Sequence, residues 1–378
     1  MTVRDRVPWT VRAPVRRTRN AVVGAGLTAR QWRRWRAIAA TSPRLGEAAV
    51  SYGVEAMPGN GEIVFGGAVK FQLLARELPN APRDFNVLYL GSSSMPLDAR
   101  MLVRLARLRG AAFVWNQNGV AYRGWYGDGW ELVNAPRAHL LHQADHVVFQ
   151  SAFCKLASDR FYGPPDRTWE VLHNPVDTTA FVPEHTRPDR PLTLLLGGNQ
   201  YQRYRIERAL ETLSIVRGEI GDARLIVSGA LAFAADGKGE TTRMIRRLGL
   251  DDAVDLTGAY TQEEAPSLMR RADLLLHTKY NDPCPTIVLE AMATGLPVVY
   301  SASGGTPELV GDEAGIGIEA PLDWERDHPP GAALLAEAVI SLAADLDARR
   351  AVARERARHF DAGAWIERHR AIFEKLTA

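Results

Sequence analysis

Long apolar runs are missing from this chain. No stretch of eighteen consecutive apolar residues occurs in its 378 residues, so no transmembrane helix is expected. The N-terminus carries no apolar core of the kind that marks a secretory signal. Cysteine is scarce. Cys154 and Cys284 are the only two and lie far apart, which argues for reduced thiols in a cytoplasmic compartment and against a disulfide framework. Charge of one sign is not in excess either: the formal net charge is +2, so the protein as a whole is neither an acidic nor a basic extreme. No internal repeat or low-complexity tract is present, which excludes a solenoid. What remains is ordinary globular composition, 46% apolar and 24% charged. The length suggests two domains of roughly 150–200 residues each.

The basic residues are unevenly placed. Residues 1–44 form an arm in which arginines interleave with Trp9, Trp32 and Trp35, and residues 31–40 suit a short helix. Three readings stay open for this arm: a solvated segment packed on the first domain, contact with an anionic membrane surface, or contact with nucleic-acid phosphates. The first two carry more weight, so no nucleic-acid partner is expected and the protein is placed in the cytoplasm, peripheral on the inner face of the membrane if the arm binds lipid. Within the arm, Gly24, Gly26 and Ala29 fit the G-x-G-x-x-A spacing of dinucleotide-binding turns. Arg16, Arg17 and Arg19 stand where a buried strand is needed, and Arg30, Arg33, Arg34 and Arg36 crowd the following helix. The segment reads as a turn without a cofactor.

From residue 48 onward, β-branched and leucine-rich segments alternate with helical ones. Strands are predicted at 48–55, 86–90, 111–115, 146–150, 192–196, 223–227, 254–256 and 272–277. Alternation of this length implies α/β architecture with parallel sheets, whose ligands sit beyond the carboxyl ends of the strands. The polar, Pro-rich segment 183–191 reads as an interdomain linker. It divides the chain into a domain at 45–185 and a second at 186–362. A Gly-rich loop with Gly66 and Gly67 follows the first strand and permits close backbone approach. The loop 116–131 holds Tyr122, Trp125, Tyr126 and Trp130 among glycines, and suits either a sugar face or its own packing. His139, His142 and His146 are spaced for one helix face, but no carboxylate or Cys pattern completes a metal site. Asp345, Leu346 and Asp347 form a D-x-D triplet late in an Ala-rich helix and read as solvated surface.

The chemistry concentrates in residues 281–310, NDPCPTIVLEAMATGLPVVYSASGGTPELV. Pro285 sits where a helix begins, and Pro is pre-organised for the first helical position. Gly295 and Pro297 end that helix, residues 298–300 form a strand, and Gly304 and Gly305 open a second helix. Two helix N-termini beside one strand end offer free N–H groups and positive dipole ends to an anion. A diphosphate suits the Pro285, Thr286 and Ile287 end and the Gly304–Gly305 loop. Asp282 and Glu290 cannot bind phosphate but accept hydrogen bonds from sugar or ribose hydroxyls. Phosphate donors flanked by hydroxyl acceptors describe a nucleotide-sugar site.

This stretch resembles the glycosyltransferase family 4 signature, a pair of acids separated by seven residues and followed by LEAMA-x-G-x-P-V-V and a GG-x-x-E loop. The resemblance implies the GT-B fold, two doubly wound Rossmann-like domains facing a cleft, with the last helix, residues 363–378, crossing back to the first domain. It implies transfer of a hexose with retention from a nucleotide-diphosphate sugar, the co-substrate, to a hydroxyl of a glycan or lipid-linked acceptor. No metal and no further cofactor is implied. The first acid, which contacts the donor sugar, falls on Asp282, where the family usually has Glu; the second, which contacts the ribose, falls on Glu290. In the family, a Gly and then a basic residue at the start of the second domain hold the donor phosphates. Here Gly198 and Asn199 are followed by Arg203, Tyr204 and Arg205, with Tyr204 nearest the usual Lys, so the phosphate cation is Arg203 or Arg205. Gly66 and Gly67 correspond to the turn facing the diphosphate, and Asn118 stands where many members carry His. Two alternatives accompany this reading. One is a sugar phosphorylase or epimerase of the same fold. The other is a degenerate, non-catalytic protein that binds sugar or nucleic acid.

Overall fold

Two parallel sheets carry the chain in a computed structural model that describes residues 29–59, 62, 66–184 and 189–378. The first contains β1 (Val50–Ser51), β2 (Val87–Gly91), β3 (Ala112–Gln117), β4 (His146–Phe149) and β5 (Thr168–Val171), side by side in that order. The second contains β6 (Thr193–Leu196), β7 (Arg224–Ser228), β8 (Val254–Gly258), β9 (Leu274–His277), β10 (Val298–Ala302) and β11 (Gly315–Glu319), in the order β11-β10-β9-β6-β7-β8. The central strands are short apolar runs buried on both faces, as a parallel sheet covered by helices requires; all four residues of β6 and of β9 are buried.

Helices cover both faces of each sheet. On the first, Gly66–Glu77 and the last helix, Ala362–Thr377, share one apolar layer with Val50, Tyr89 and Val114. Ala99–Leu108, Trp130–Leu141 and Ala152–Tyr162 pack on the other, around Leu88, Leu90 and Trp115. Ala362–Thr377 is anchored by His369, whose Nε2 is 2.7 Å from the Tyr89 hydroxyl; burial pushes that imidazole down to about 3. On the second sheet, Arg203–Glu219 and Ala332–Ala343 form one layer, and Thr286–Ala293 with Leu346–Arg358 the other.

Two departures from the sequence reading have clear causes. β1 is far shorter than residues 48–55, because Gly53 adopts φ 75° and turns the chain away. After the helix Gly66–Glu77 the chain then passes the outer side of β1, where Asn80 bridges Val50 in parallel, before returning to β2 on the inner side. The three histidines do not share a helix: His139 lies on Trp130–Leu141, His142 caps it, and His146 opens β4. Among the described residues no group of three or more His, Cys, Asp and Glu side chains is disposed to hold a metal. Asp345 and Asp347 are exposed at the start of Leu346–Arg358. Most of the basic arm and of the Gly24–Gly26 turn lies outside the described residues, as do 185–188 of the linker; residues 29–40 are helical. No helix among the described residues is long and apolar enough to cross a membrane.

Two contacts stand out among those that clasp the two sheets. Trp324, from the loop after β11, enters the core of the first domain, stacked on Phe153 at 5.5 Å and edge-on to Tyr122 at 5.0 Å. Glu308 of the second domain accepts hydrogen bonds from Ala152 N and Phe153 N at 2.7 and 2.9 Å, capping a helix of the first.

Candidate active site

In the second sheet, β6 lies between β7 and β9, and the chain order reverses there. Such a switch point leaves a crevice beyond the carboxyl ends of the two strands. The crevice opens into a cavity of about 600 Å³ between the domains. One wall comes from the ends of β6, β7 and β9 and the start of Thr286–Ala293. The other comes from the ends of β2, β3 and β4 and the start of Gly66–Glu77.

The loop after β9 is the most constrained part of the site. Asn281 has φ 49°, the only positive φ outside glycine among the described residues, in the left-handed region that Asn tolerates. Its N–H donates to Ser303 Oγ at 2.8 Å, and the Tyr280 N–H donates to the Tyr204 hydroxyl at 3.1 Å. The loop thus brings buried Asp282 into the cavity wall. Burial would raise the Asp282 pKa, but Lys279, His277 and Arg205 together outweigh it and hold the carboxyl well below its ordinary range. Lys279 Nζ lies 3.1 Å from Oδ2. His277 Nε2 is 3.2 Å from the same oxygen without the alignment of a hydrogen bond, and burial keeps the imidazole pKa low despite the carboxylate.

Glu290 occupies the second turn of Thr286–Ala293, is buried, and also lines the cavity. Among the described residues no cation compensates it. Desolvation pushes its carboxyl up to about 7, opposed only by a hydrogen bond with Gln262. Pro285 is the N-cap of this helix, one position earlier than the sequence suggests, with no side-chain cap. The first N–H groups of such a helix lack intrahelical partners; Thr286 and Ile287 line the cavity with Pro285.

Gly198 and Asn199 also line it. Gly198 has φ 81°, and a Cβ on Gly229 would meet the Gly198 carbonyl oxygen at 2.3 Å, so the two loops touch through backbone. Asn199 Oδ1 accepts from Ala230 N at 2.8 Å and ties them together. The structure separates the two arginines. Arg205 is buried in the cavity wall, its Nη1 donating to Asn199 O at 2.9 Å and its Nε buried without a partner among the described residues. Arg203 points away from the cavity and is taken by Glu207 at 2.7 Å and Glu240 at 2.6 Å. Its place among the site residues is corrected: the helix advances about 100° per residue, so positions two apart face different ways.

Gly304 and Gly305 need a second correction, since neither lines the cavity. A Cβ on Gly304 would meet Asp282 O at 2.4 Å, and one on Gly305 would meet Pro283 O at 2.1 Å. Gly305 N donates to Asp282 O at 2.8 Å. These glycines let one loop lie flat against another and buttress Asp282 from behind, so they form no phosphate cradle.

On the first domain's wall, Gly67 lines the cavity and Gly66 is the first residue of its helix. Asn118 takes a hydrogen bond from Lys70 Nζ at 3.3 Å and donates to Ser93 Oγ. Lys70 is buried, and desolvation lowers its pKa to about 7. Of the four loop aromatics, Tyr122 and Trp125 line the cavity, while Trp130 packs edge-on against Phe161 at 5.1 Å. Sequence reasoning missed Lys279, His277, Lys70 and Arg137. Lys279 had one local signal, its position three residues before Asp282; the other three became visible only through tertiary placement.

Residues 177–359 match the family described as glycosyl transferases group 1. The second domain thus matches the group 1 glycosyltransferases. The chain's facing parallel-sheet domains are the GT-B fold. Over 256 residues the chain is 26% identical to the GDP-mannose-dependent alpha-(1-6)-phosphatidylinositol monomannoside mannosyltransferase of Mycobacterium tuberculosis, a match spanning 61% of each chain. The protein of that name from Mycolicibacterium smegmatis is 28% identical over 255 residues, 61% of this chain and 62% of its own length. The chain thus matches about six tenths of these relatives. Among solved structures it resembles Anabaena Alr3699/HepE in complex with UDP and glucose, with TM-score 0.60, 18% identity and 79% of each chain covered. Sucrose-phosphate synthase from Thermosynechococcus elongatus gives TM-score 0.61 at 20% identity, covering 82% of this chain and 78% of that one. At these identities the structural likeness concerns the fold.

Proposed function

We propose that this protein is a retaining glycosyltransferase of family 4, moving a hexose from a nucleoside-diphosphate sugar to a hydroxyl of a glycan or lipid-linked acceptor without a metal ion. One observation carries the reading: within a single cavity, a carboxylate locked in its ionised form by Lys279 adjoins the buried Arg205 and an uncapped helix N-terminus, with a second carboxyl, at Glu290, that has no cation partner among the described residues. Cations and free N–H groups suit a diphosphate. Asp282 suits the hydroxyls of the donor sugar and Glu290 those of the ribose. The names of the relatives and neighbours make GDP-mannose and UDP-glucose the first donors to try.

In the reaction proposed here, the bond from the anomeric carbon to the diphosphate oxygen breaks while the acceptor oxygen bonds to the same face. The departing phosphate oxygen takes the acceptor proton. Arg205, Lys279 and the N–H groups of Thr286 and Ile287 spread the charge that develops on the leaving group, and they are fixed before the reaction starts. Incubation with each donor and candidate acceptors, followed by proton NMR of the product, tests this. An α-linked product formed equally well in excess EDTA supports it. An inverted product, loss of activity in EDTA, or sugar release that needs no acceptor contradicts it.

The described end of the basic arm packs on the first domain through Ile38 and Trp35, whose Nε1 donates to Asp98 Oδ2 at 2.9 Å, while its exposed side chains suit contact with an anionic membrane surface. Arg30, Arg33 and Arg36 are exposed beside Trp32, which is 59% exposed, and none has a carboxylate partner among the described residues. Arginines flanking an exposed indole fit an interfacial helix.

A further inference from the structure

The cavity wall opposite Asp282 holds a cation that the donor chemistry does not use. We propose that Arg137 and Trp125 form an acceptor subsite for a phosphorylated ring, a cyclic polyol or sugar carrying a phosphate ester. The inference rests on the glycosyltransferase reading above and adds the chemical class of its acceptor.

Arg137 and Asn134 lie three residues apart on Trp130–Leu141, on one face of the helix. Asn134 fixes the loop after β3, accepting from Ala121 N at 3.0 Å and donating to Ala121 O at 2.7 Å. Arg137 is held on the same side, its Nε donating to Ser92 O at 3.0 Å and its Nη1 to Val133 O. Both bonds go to neutral carbonyls. Among the described residues Arg137 has no carboxylate partner, and its Nη2 has no partner at all. The acids that line the cavity, Asp282 and Glu290, both stand on the second domain's wall, where Lys279 and Arg205 already supply positive charge. The first domain's wall therefore carries a fixed, unneutralised guanidinium. A guanidinium anchored by two of its nitrogens is a pre-organised fork for phosphate oxygens.

Trp125 supplies the second half of the site. It is 46% exposed yet lines the cavity, in the short helix Arg123–Tyr126. That segment is pinned by the strap from the second domain: Gly124 N donates to Trp324 O at 2.8 Å, and a Cβ on Gly124 would meet Arg326 N at 2.7 Å. An exposed indole held still is a platform for the apolar face of a ring, and Ser93 and Asn118 on the same wall can meet its hydroxyls. The phosphate ester could belong to a soluble sugar or polyol phosphate or to a phospholipid headgroup.

Calorimetric titration of the full chain tests this. The soluble probes are inositol and inositol 1-phosphate, glucose and glucose 6-phosphate, and mannose and mannose 6-phosphate. The lipid probes are vesicles of phosphatidylcholine with and without phosphatidylinositol. At least one phosphorylated probe should bind about tenfold or more tightly than its parent, because its phosphate gains charge-assisted hydrogen bonds that the parent lacks. Tight binding of a soluble phosphate points to a free acceptor; binding confined to phosphatidylinositol vesicles points to a lipid one. Arg137→Gln should erase the preference, Trp125→Ala should weaken parent and phosphate alike, and both should still bind nucleotide. Arg137→Lys, which keeps the charge and loses the fork, should show an intermediate preference and serves if Arg137→Gln does not fold. No preference in wild type, or a preference that survives loss of the guanidinium, overturns the subsite. Nucleotide binding measured in the same preparations reports separately on the donor reading.

Discussion

Glu290 concentrates the electrostatic tension of the site in one side chain. Its folded pKa, about 7, lies above the ordinary 4.5, so below about pH 7 the free protein favours the protonated form. The sign follows from linkage: its contribution to stability is complete below about 4.5 and is lost as pH rises through 7. Glu290→Gln should therefore raise the melting temperature at pH 8, with the gain vanishing near pH 4; an equal difference at both values would mean that no charge is buried there. A ribose hydroxyl donating to Glu290 favours its ionised form. Nucleotide binding near pH 6.5 should then release part of a proton in wild type, read as buffer-dependent calorimetric heats, and none in Glu290→Gln. The two arginines separate in the same way. Arg205→Gln should weaken nucleoside-diphosphate binding about tenfold or more while Arg203→Gln stays near wild type, because only the first guanidinium is buried and unclaimed by a carboxylate. Equal losses would return the phosphate site to the helix start as a whole. Asp282 and Glu290 were legible in the sequence because their spacing and the apolar helix between them are local. The choice between Arg203 and Arg205 was not, since it depends on which face of Arg203–Glu219 meets the crevice.

Among elements, the loop of Gly304 and Gly305 shows what a Gly–Gly pair can and cannot disclose. The need for glycine was legible, but the partner was not: the backbone that approaches is that of Asn281, Asp282 and Pro283, not a phosphate. Gly305→Ala should destabilise by about 1–3 kcal/mol, as overpacking does, and lower nucleotide affinity only through displacement of Asp282. A variant as stable as wild type would contradict the contact. In the short helix that follows, Thr306–Val310, Glu308 spans the domains, with His173 Nε2 3.0 Å from its carboxylate as well as the two capped N–H groups. Burial raises its pKa, but these hydrogen bonds outweigh that and hold it below the ordinary range. Its contribution is thus present above the ordinary carboxylate pKa and lost as pH falls through the folded value. Glu308→Gln should lower the melting temperature at pH 7 and matter progressively less in acid. The pattern GG-x-x-E marked this loop in the sequence, while its role as a clasp between sheets is a long-range contact that no local pattern encodes.

For the whole molecule, strand and helix alternation was enough to anticipate two parallel-sheet units, because fully apolar strands between amphipathic helices allow little else. Less legible was how the first sheet starts. β1 keeps only two paired residues, and a single bridge at Asn80 stands at its outer edge, a detail of turn geometry at Gly53. The order β11-β10-β9-β6-β7-β8 fixes where a ligand goes, at the crevice beside β6 and β9, and every donor-side residue retained above lines it. Replacing Arg30, Arg33 and Arg36 together by Gln should reduce sedimentation with anionic vesicles at low salt while leaving nucleotide binding intact; an undiminished bound fraction would count against the arm as a membrane contact. The most direct test of the central claim is the melting temperature of the purified chain against UDP, GDP, ADP and dTDP, since a ligand that binds only the folded state raises it. A shift with at least one nucleotide, lost in Arg205→Gln, is the predicted result. No shift with any of the four in the wild-type protein would contradict a nucleotide-sugar site in this cleft.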